Sequence, residues 1–247
     1  MKYAEDHFST IASQYVRGRF GYPRELYQFL FDQCPSHDFA WDCATGTGQS
    51  AQDLAQTFHQ VIATNISTEL LQLATPHPRI TYRFASAEDS GLDTESVDLI
   101  TVAQAIHWFD LPQFWTEATR VIKPGGVMAF WGYNWPIVNA GIDQVLEEFK
   151  SIIAESWPER IAILNDGYVS IRPPLLEIPS PVFEATAQWG LQDYLSHLNS
   201  WSATRYYREQ TGENASDKFM GAFTEAWIGK HASVQWPLVF KAFRKSI

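Results

Sequence analysis

The sequence predicts an α/β fold: a mostly parallel, seven-stranded sheet covered by helices, with one antiparallel strand arriving late. Three observations lead there. Short β-like runs alternate with helix-like stretches as far as Trp135, the pattern of parallel strands joined by crossover helices. A glycine-bearing loop in FAWDCATGTGQSA (39–51) joins an apolar run to a helix start, where backbone N–H groups can be set against a ligand. The 247 residues, 45% hydrophobic and 19% charged, suit a soluble chain with one substantial core.

The elements follow in order. A helix begins at Pro23 in PRELYQFLFDQC, where proline is pre-set for the first turn and Leu26, Phe29 and Leu30 recur at helical spacing. FAWDC is the first strand and SAQDLAQTF the helix after the loop. VIATN is the second strand, and STELLQLA its helix, with Ser67 or Thr68 as the cap. ITYRFA and VDLITVAQ are the third and fourth strands, LPQFWTEATRVI is a helix, and VMAFWGYN is the fifth strand after a turn at KPGG. Past Trp135 the alternation stops. Residues 140–158 read as helix, and IRPPLLEIPSP reads as a surface loop because its prolines cannot donate in a central strand. FEATAQWG and VQWPLVFKAFRK are two late strands, with DYLSHLNSWSATRYYREQTG and SDKFMGAFTEAW as helices between them. The chain carries no internal repeat and no low-complexity segment.

Composition narrows the partners. A formal charge of -10 argues against a nucleic-acid binder, which needs a basic face to displace condensed counterions. The two cysteines, Cys34 and Cys43, together with a polar N-terminus MKYAEDHF, point to a reducing, cytoplasmic location, and no apolar run is long enough to span a membrane. No metal site is expected. Aromatics reach 15%, with 10 Trp, which suits an aromatic core and also aromatic-walled pockets.

The loop places Gly46, Gly48 and Ala51 at the spacing of the dinucleotide pattern G-x-G-x-x-G/A. A dinucleotide site needs an acid at the end of the second strand, and Asn65 stands there. On spacing alone, several ligands remain open. Nothing basic backs the loop, so a phosphate is not demanded.

The order WDCATGTGQ, VIATNIS, FASAEDSGL, VDLITVAQAIHWFD and RVIKPGG, over residues 8–134, resembles the class I S-adenosylmethionine-dependent methyltransferases. The resemblance is to their small-molecule branch, which includes the trans-aconitate methyltransferases. It implies a Rossmann-like, doubly wound sheet and S-adenosyl-L-methionine as cofactor. Asp42, Ala44, Gly46 and Gly48 would hold the methionine end, Asn65 the ribose, Ala87 and Glu88 the adenine, and Gln104 would lie beside the sulfonium. Ala44 and Asn65 depart from the family's usual glycine and acid. The N-terminal HFSTIASQYVRGRFGYP is similar to the family's lid, with Tyr15 toward the cofactor and Arg19 and Tyr22 toward the substrate; as an alternative it is a docking helix that completes the core. One domain over residues 1–247 results, with a lid at 1–22, a cofactor core at 23–134, substrate-side cover at 135–182 and 191–232, and late strands at 183–190 and 234–245.

Transfer needs alignment of a nucleophile behind the methyl group and exclusion of water, not a covalent nucleophile. AIHWFD stands where methyltransferases of base amines often carry an Asn/Asp-Pro-Pro-aromatic motif, which turns the expectation toward a small-molecule methyl acceptor. His107 is the candidate catalytic group, as hydrogen-bond partner or base, against the alternative of a structural hydrogen-bonder. Trp108 would wall the pocket. Trp201, Arg205 and Arg208 fall at i, i+4 and i+7, a face that would attract a carboxylate substrate or simply be a solvated helix paired with Glu209. The expected reaction is O-methylation of a small organic acid; a hydroxyl, nitrogen or carbon acceptor, a non-catalytic cofactor-binding protein of the same fold, and a nicotinamide oxidoreductase are the alternatives.

Overall fold

The computed structural model describes residues 21–247. Helix α1 (Arg24–Gln33) precedes β1 (Phe39–Cys43), α2 (Gln49–Leu54), β2 (Gln60–Asn65), α3 (Thr68–Gln72) and β3 (Ile80–Phe84). Then come β4 (Val97–Ala103), α4 (Leu111–Val121), β5 (Ile122–Tyr133), α5 (Ala140–Ile153), α6 (Ala162–Asn165), β6 (Leu176–Ile178) and β7 (Glu184–Trp189). Helices α7 (Leu191–Asn199), α8 (Ser202–Thr211) and α9 (Ala215–Ala226) lead to β8 (Ala232–Arg244).

The strand order is β3-β2-β1-β4-β5-β8-β6, with β7 also paired to β8. Strands β1 to β5 are parallel, and β8 runs antiparallel to β5 from Val127↔Arg244 to Tyr133↔Leu238. Strands buried on both faces read as near-continuous apolar runs, which is why VDLITVA is buried along almost its whole length. The chain leaves β1 toward β2 on one side and returns to β4 on the other. Such a reversal opens a crevice at the carboxyl ends of the two strands. In register, Asp42 of β1 sits opposite Thr101 of β4 there.

Each sheet face has its own core. Leu26, Leu30, Leu54, Trp131, Phe149, Phe223 and Trp236 fill one, and Trp41, Phe114, Met128, Phe130, Tyr168 and Phe243 the other. At the amino ends of the strands, the buried Asp98 carboxylate accepts from Lys123 Nζ at 2.8 Å, Ser36 Oγ at 2.7 Å and the Phe39 N–H at 2.9 Å. That pins the loop between α1 and β1, far along the strands from the crevice.

Three expectations change. IRPPLLEIPSP is not wholly loop: Leu176–Ile178 pairs antiparallel with Ala242–Arg244 as an eighth strand, kept to three residues and to the edge by the flanking prolines. KPGG is a bulge inside β5, where pairing with β4 jumps from Val97↔Ile122 to Leu99↔Val127 and Gly125 takes φ 76°. DYLSHLNSWSATRYYREQTG is two helices. Its break at Ser200–Trp201 is closed by Ser200 Oγ donating to the His197 carbonyl at 2.7 Å and Thr204 Oγ1 to the Leu198 carbonyl at 2.8 Å, which satisfies the last turn of α7.

Candidate functional site

The loop after β1 is built around one buried acid. Asp42 is 1% exposed; Thr101 Oγ1 donates to its Oδ1 at 2.7 Å and Thr45 Oγ1 to its Oδ2 at 2.5 Å. Burial pushes its pKa up to about 6, against the lowering by these hydroxyl donors. The backbone beyond it turns by alternate left-handed residues: Ala44 at φ 58°, Gly46 at 60° and Gly48 at 86°. Glycine suits such positions, and Ala44 bears a cost of about 1–2 kcal/mol for its Cβ. A small cleft open to solvent is lined by Asp42, Ala44, Thr45, Ser50, Ala103 and Tyr22, among others.

Gly48 has a second reason to lack a side chain. A Cβ there would lie 2.3 Å from the Tyr82 hydroxyl and under 3 Å from two of its ring carbons. Tyr82 is not free to swing cheaply, because its hydroxyl donates to the Thr75 carbonyl at 3.0 Å and accepts from Gln52 Nε2 at 3.2 Å.

The neighbouring strand ends carry the other candidates. Asn65 closes β2, and its Oδ1 accepts the Ser67 N–H at 2.9 Å, so the amide NH₂ is what it retains for a ligand hydroxyl. Ala87 is buried, and Glu88 Oε1 accepts the Asp110 N–H at 3.0 Å, tying the loop after β3 to the start of α4. Gln104, just past β4, is also left-handed at φ 58°, and its Nε2 is buried with no hydrogen-bond partner among the described residues. Three residues on, His107 sits in a short 3₁₀ turn (Ile106–Trp108), 4% exposed, with Nδ1 3.3 Å from the Tyr168 hydroxyl. Burial, helped by the charge of Arg160, lowers its pKa to about 4, so the ring is neutral at ordinary pH. Arg160 Nη1 donates to the Trp108 carbonyl at 2.6 Å and braces the same turn.

The substrate candidates divide. Tyr22 stands edge-on to Trp131 at 5.4 Å and lines the Asp42 cavity, which puts it on the loop side. Trp201 packs against Trp135 at 5.1 Å and Trp157 at 6.1 Å, in an aromatic group beyond the end of β5. Arg205 on α8 is 12% exposed at the side chain, 3.6 Å from Glu209, while Arg208 is exposed, so the two arginines of that face differ in setting. Neither Trp201 nor Arg205 lines the cavity. Tyr15 and Arg19 lie outside the described residues.

Thr45, Thr101, Tyr82 and Tyr168 were not anticipated. Thr101 had a signal, a hydroxyl residue amid the apolar run VDLITVA and level with Asp42. Tyr168 had a weaker one, the DG helix stop just before it. Among the described residues no three His, Cys, Asp or Glu side chains gather as a metal site, and no helix is long and apolar enough to cross a membrane.

Residues 41–130 match the family model described as a methyltransferase domain. A candidate methyltransferase of Dictyostelium discoideum is 32% identical over 203 residues, covering 80% of this chain and 77% of that protein. An uncharacterized methyltransferase of Mycobacterium tuberculosis is 33% identical over 120 residues, 48% of this chain and 49% of its own. The solved structure of a candidate type II methyltransferase from Anaeromyxobacter dehalogenans superposes with a TM-score of 0.86 at 35% identity, covering 93% of this chain and 99% of that one.

Proposed function

This chain belongs to the S-adenosylmethionine-dependent methyltransferases, and on that premise we propose that it esterifies a carboxylate of a small, trans-aconitate-like organic acid. The cofactor supplies an electrophilic methyl group on a positively charged sulfur. Around it, Asp42 would take the ammonium of the methionine end, the loop through Ala44, Gly46 and Gly48 would cradle that end, and Asn65 would meet the ribose. Ala87 and Glu88 would border the adenine, and Gln104 would sit near the sulfur. Buried Asp42 fits this part: an acid whose pKa is raised by burial is relieved by an arriving cation, and an open cleft lies beside it.

The weak basicity that burial gives His107 supports the choice of acceptor. With its pKa lowered to about 4, it is a poor proton acceptor at neutral pH. A hydroxyl acceptor must lose a proton during transfer, whereas a carboxylate of pKa about 4 is already ionised and needs only to be held. Such an acceptor would ask the chain's residues only to hold it behind the methyl group and to keep water out, with no proton to be taken up. Trp108 and Tyr22 would wall the acceptor, and Arg205 and Trp201 would form its outer, acid-attracting side. We take the chain as a single domain, cytoplasmic and without a nucleic-acid partner, in keeping with a charge of -10 and two free cysteines.

The test is transfer of a tritiated methyl group to dicarboxylates, fatty acids, phenols and amines. Mild base releases the label from a methyl ester as methanol. Label on the acids that base releases supports the reading; label on phenols or amines that survives base refutes it.

A further inference from the structure

Tyr168 lies outside every motif of the cofactor site, yet the chain holds it in place at some cost. It is fully buried at φ 57°, a left-handed conformation that costs a non-glycine residue about 1–2 kcal/mol and persists where the surroundings over-determine it. The surroundings do. Helix α6 ends in a Schellman motif: Gly167, at φ 74°, donates to the Leu164 carbonyl at 3.0 Å and Tyr168 N–H donates to the Ile163 carbonyl at 3.0 Å. Below the ring, β5 leaves a gap at Gly132, where a Cβ would stand 2.7 Å from the Tyr168 hydroxyl, 2.6 Å from Leu164 Cδ1 and 3.3 Å from Gln104 Oε1. The hydroxyl is thus threaded against a position of β5 that has no side chain, beside Gln104 and His107.

The only hydrogen-bond partner of that hydroxyl among the described residues is His107 Nδ1, at 3.3 Å. The proton has two possible arrangements. If Nδ1 carried it and donated to the phenol oxygen, the phenol hydrogen would be left without a partner, since the hydroxyl forms no hydrogen bond to Gln104 or to any other described residue, at a cost of about 1–3 kcal/mol. If the phenol donates, Nδ1 is a bare acceptor and nothing is orphaned. A neutral imidazole has a single N–H, which then sits on Nε2.

We propose that Tyr168 is a positioning residue acting through His107: its hydroxyl donates to Nδ1 and fixes the ring as the Nε2–H tautomer, a hydrogen-bond donor toward the acceptor rather than a base. The placement of His107 at the acceptor rests on the function proposed above; the tautomer does not. A donor suits an ionised carboxylate, whose oxygens only accept.

The experiment is ¹⁵N NMR of histidine-labelled protein, with His107→Asn used to assign the ring, on the parent chain, Tyr168→Phe and Gly132→Ala. The parent should show the Nε2–H pattern, with Nδ1 unprotonated. Tyr168→Phe, which keeps the ring, should give a mixture of tautomers; Gly132→Ala, which pushes the hydroxyl aside without removing it, should do the same. A parent Nδ1–H tautomer, or an unchanged spectrum in both variants, overturns the proposal. Steady-state kinetics on a dicarboxylate separate the second question: Tyr168→Phe should raise KM about 2–10-fold, the worth of one neutral hydrogen bond, with kcat little changed. A shifted tautomer with unmoved KM upholds the hold of Tyr168 on the ring and refutes the placing of His107 at the acceptor.

Discussion

Replacing Gly48 by Ala should be costly, and the structure says from where. At φ 86° a Cβ costs about 1–2 kcal/mol, offset by about 0.4–1 kcal/mol from the stiffer unfolded chain. The same Cβ would stand 2.3 Å from the Tyr82 hydroxyl, so the ring must move off Thr75 and Gln52 or the loop must shift, an overpacking cost of about 1–3 kcal/mol. The sum is about 2–4 kcal/mol. At roughly 2–4 °C per kcal/mol for a chain of this size, Tm should fall by about 5–15 °C. A double-mutant cycle isolates the second part: in a Tyr82→Ala background, Gly48→Ala should cost only about 1 kcal/mol, leaving a coupling of about 1–3 kcal/mol. Differential scanning calorimetry on the four proteins measures it. An equal cost of Gly48→Ala in both backgrounds would show that Tyr82 is no obstacle and that the need for glycine is one of backbone conformation or ligand approach alone.

Ala44→Gly relieves a left-handed alanine and should raise Tm by about 1–3 °C after the entropy of glycine is subtracted; a lower Tm in calorimetry would contradict it. The folded pKa of Asp42, about 6, lies above its ordinary value of 3.8, so its contribution to stability is fully present below the ordinary value and lost as pH rises through 6. The free energy of urea unfolding should therefore fall between about pH 4 and 7 by at most ~3 kcal/mol from this group, and Asp42→Asn should flatten that slope; superimposable profiles would refute the assignment. Asn65→Asp should keep the Ser67 N–H bond on one oxygen and offer the other to the ribose, tightening S-adenosylhomocysteine binding about tenfold by calorimetry, and an unchanged affinity would remove Asn65 from the ribose.

The parallel half of the fold was legible because its signals are local. Strands β1, β2 and β4 are bounded apolar runs, Ser67 caps α3 as its hydroxyl foretells, and the glycines mark the loop. The later half was less legible because its elements depend on partners distant in sequence. Leu176–Ile178 becomes a strand only where β8 offers a free edge, and α7 and α8 part at Ser200–Trp201, where the bonds of Ser200 and Thr204 to the last turn are seen only in three dimensions. In the site, Asp42, Gly46 and Gly48 announce themselves by spacing. Tyr82 and Tyr168 do not, since each matters through the missing side chain of a glycine on another strand or loop. Ala44 and Gln104 show the reverse: ordinary residues whose left-handed backbones no composition rule reveals.

The most direct test is a crystal structure of the protein with S-adenosylhomocysteine. We expect the ammonium beside Asp42, the amino-acid end against the loop from Ala44 to Gly48, the ribose at Asn65, the adenine by Ala87 and Glu88, and the sulfur facing Gln104. Density for the ligand elsewhere on the sheet, or an Asp42–Gly48 loop left bare at saturating ligand, would contradict the site on which the proposed reaction rests.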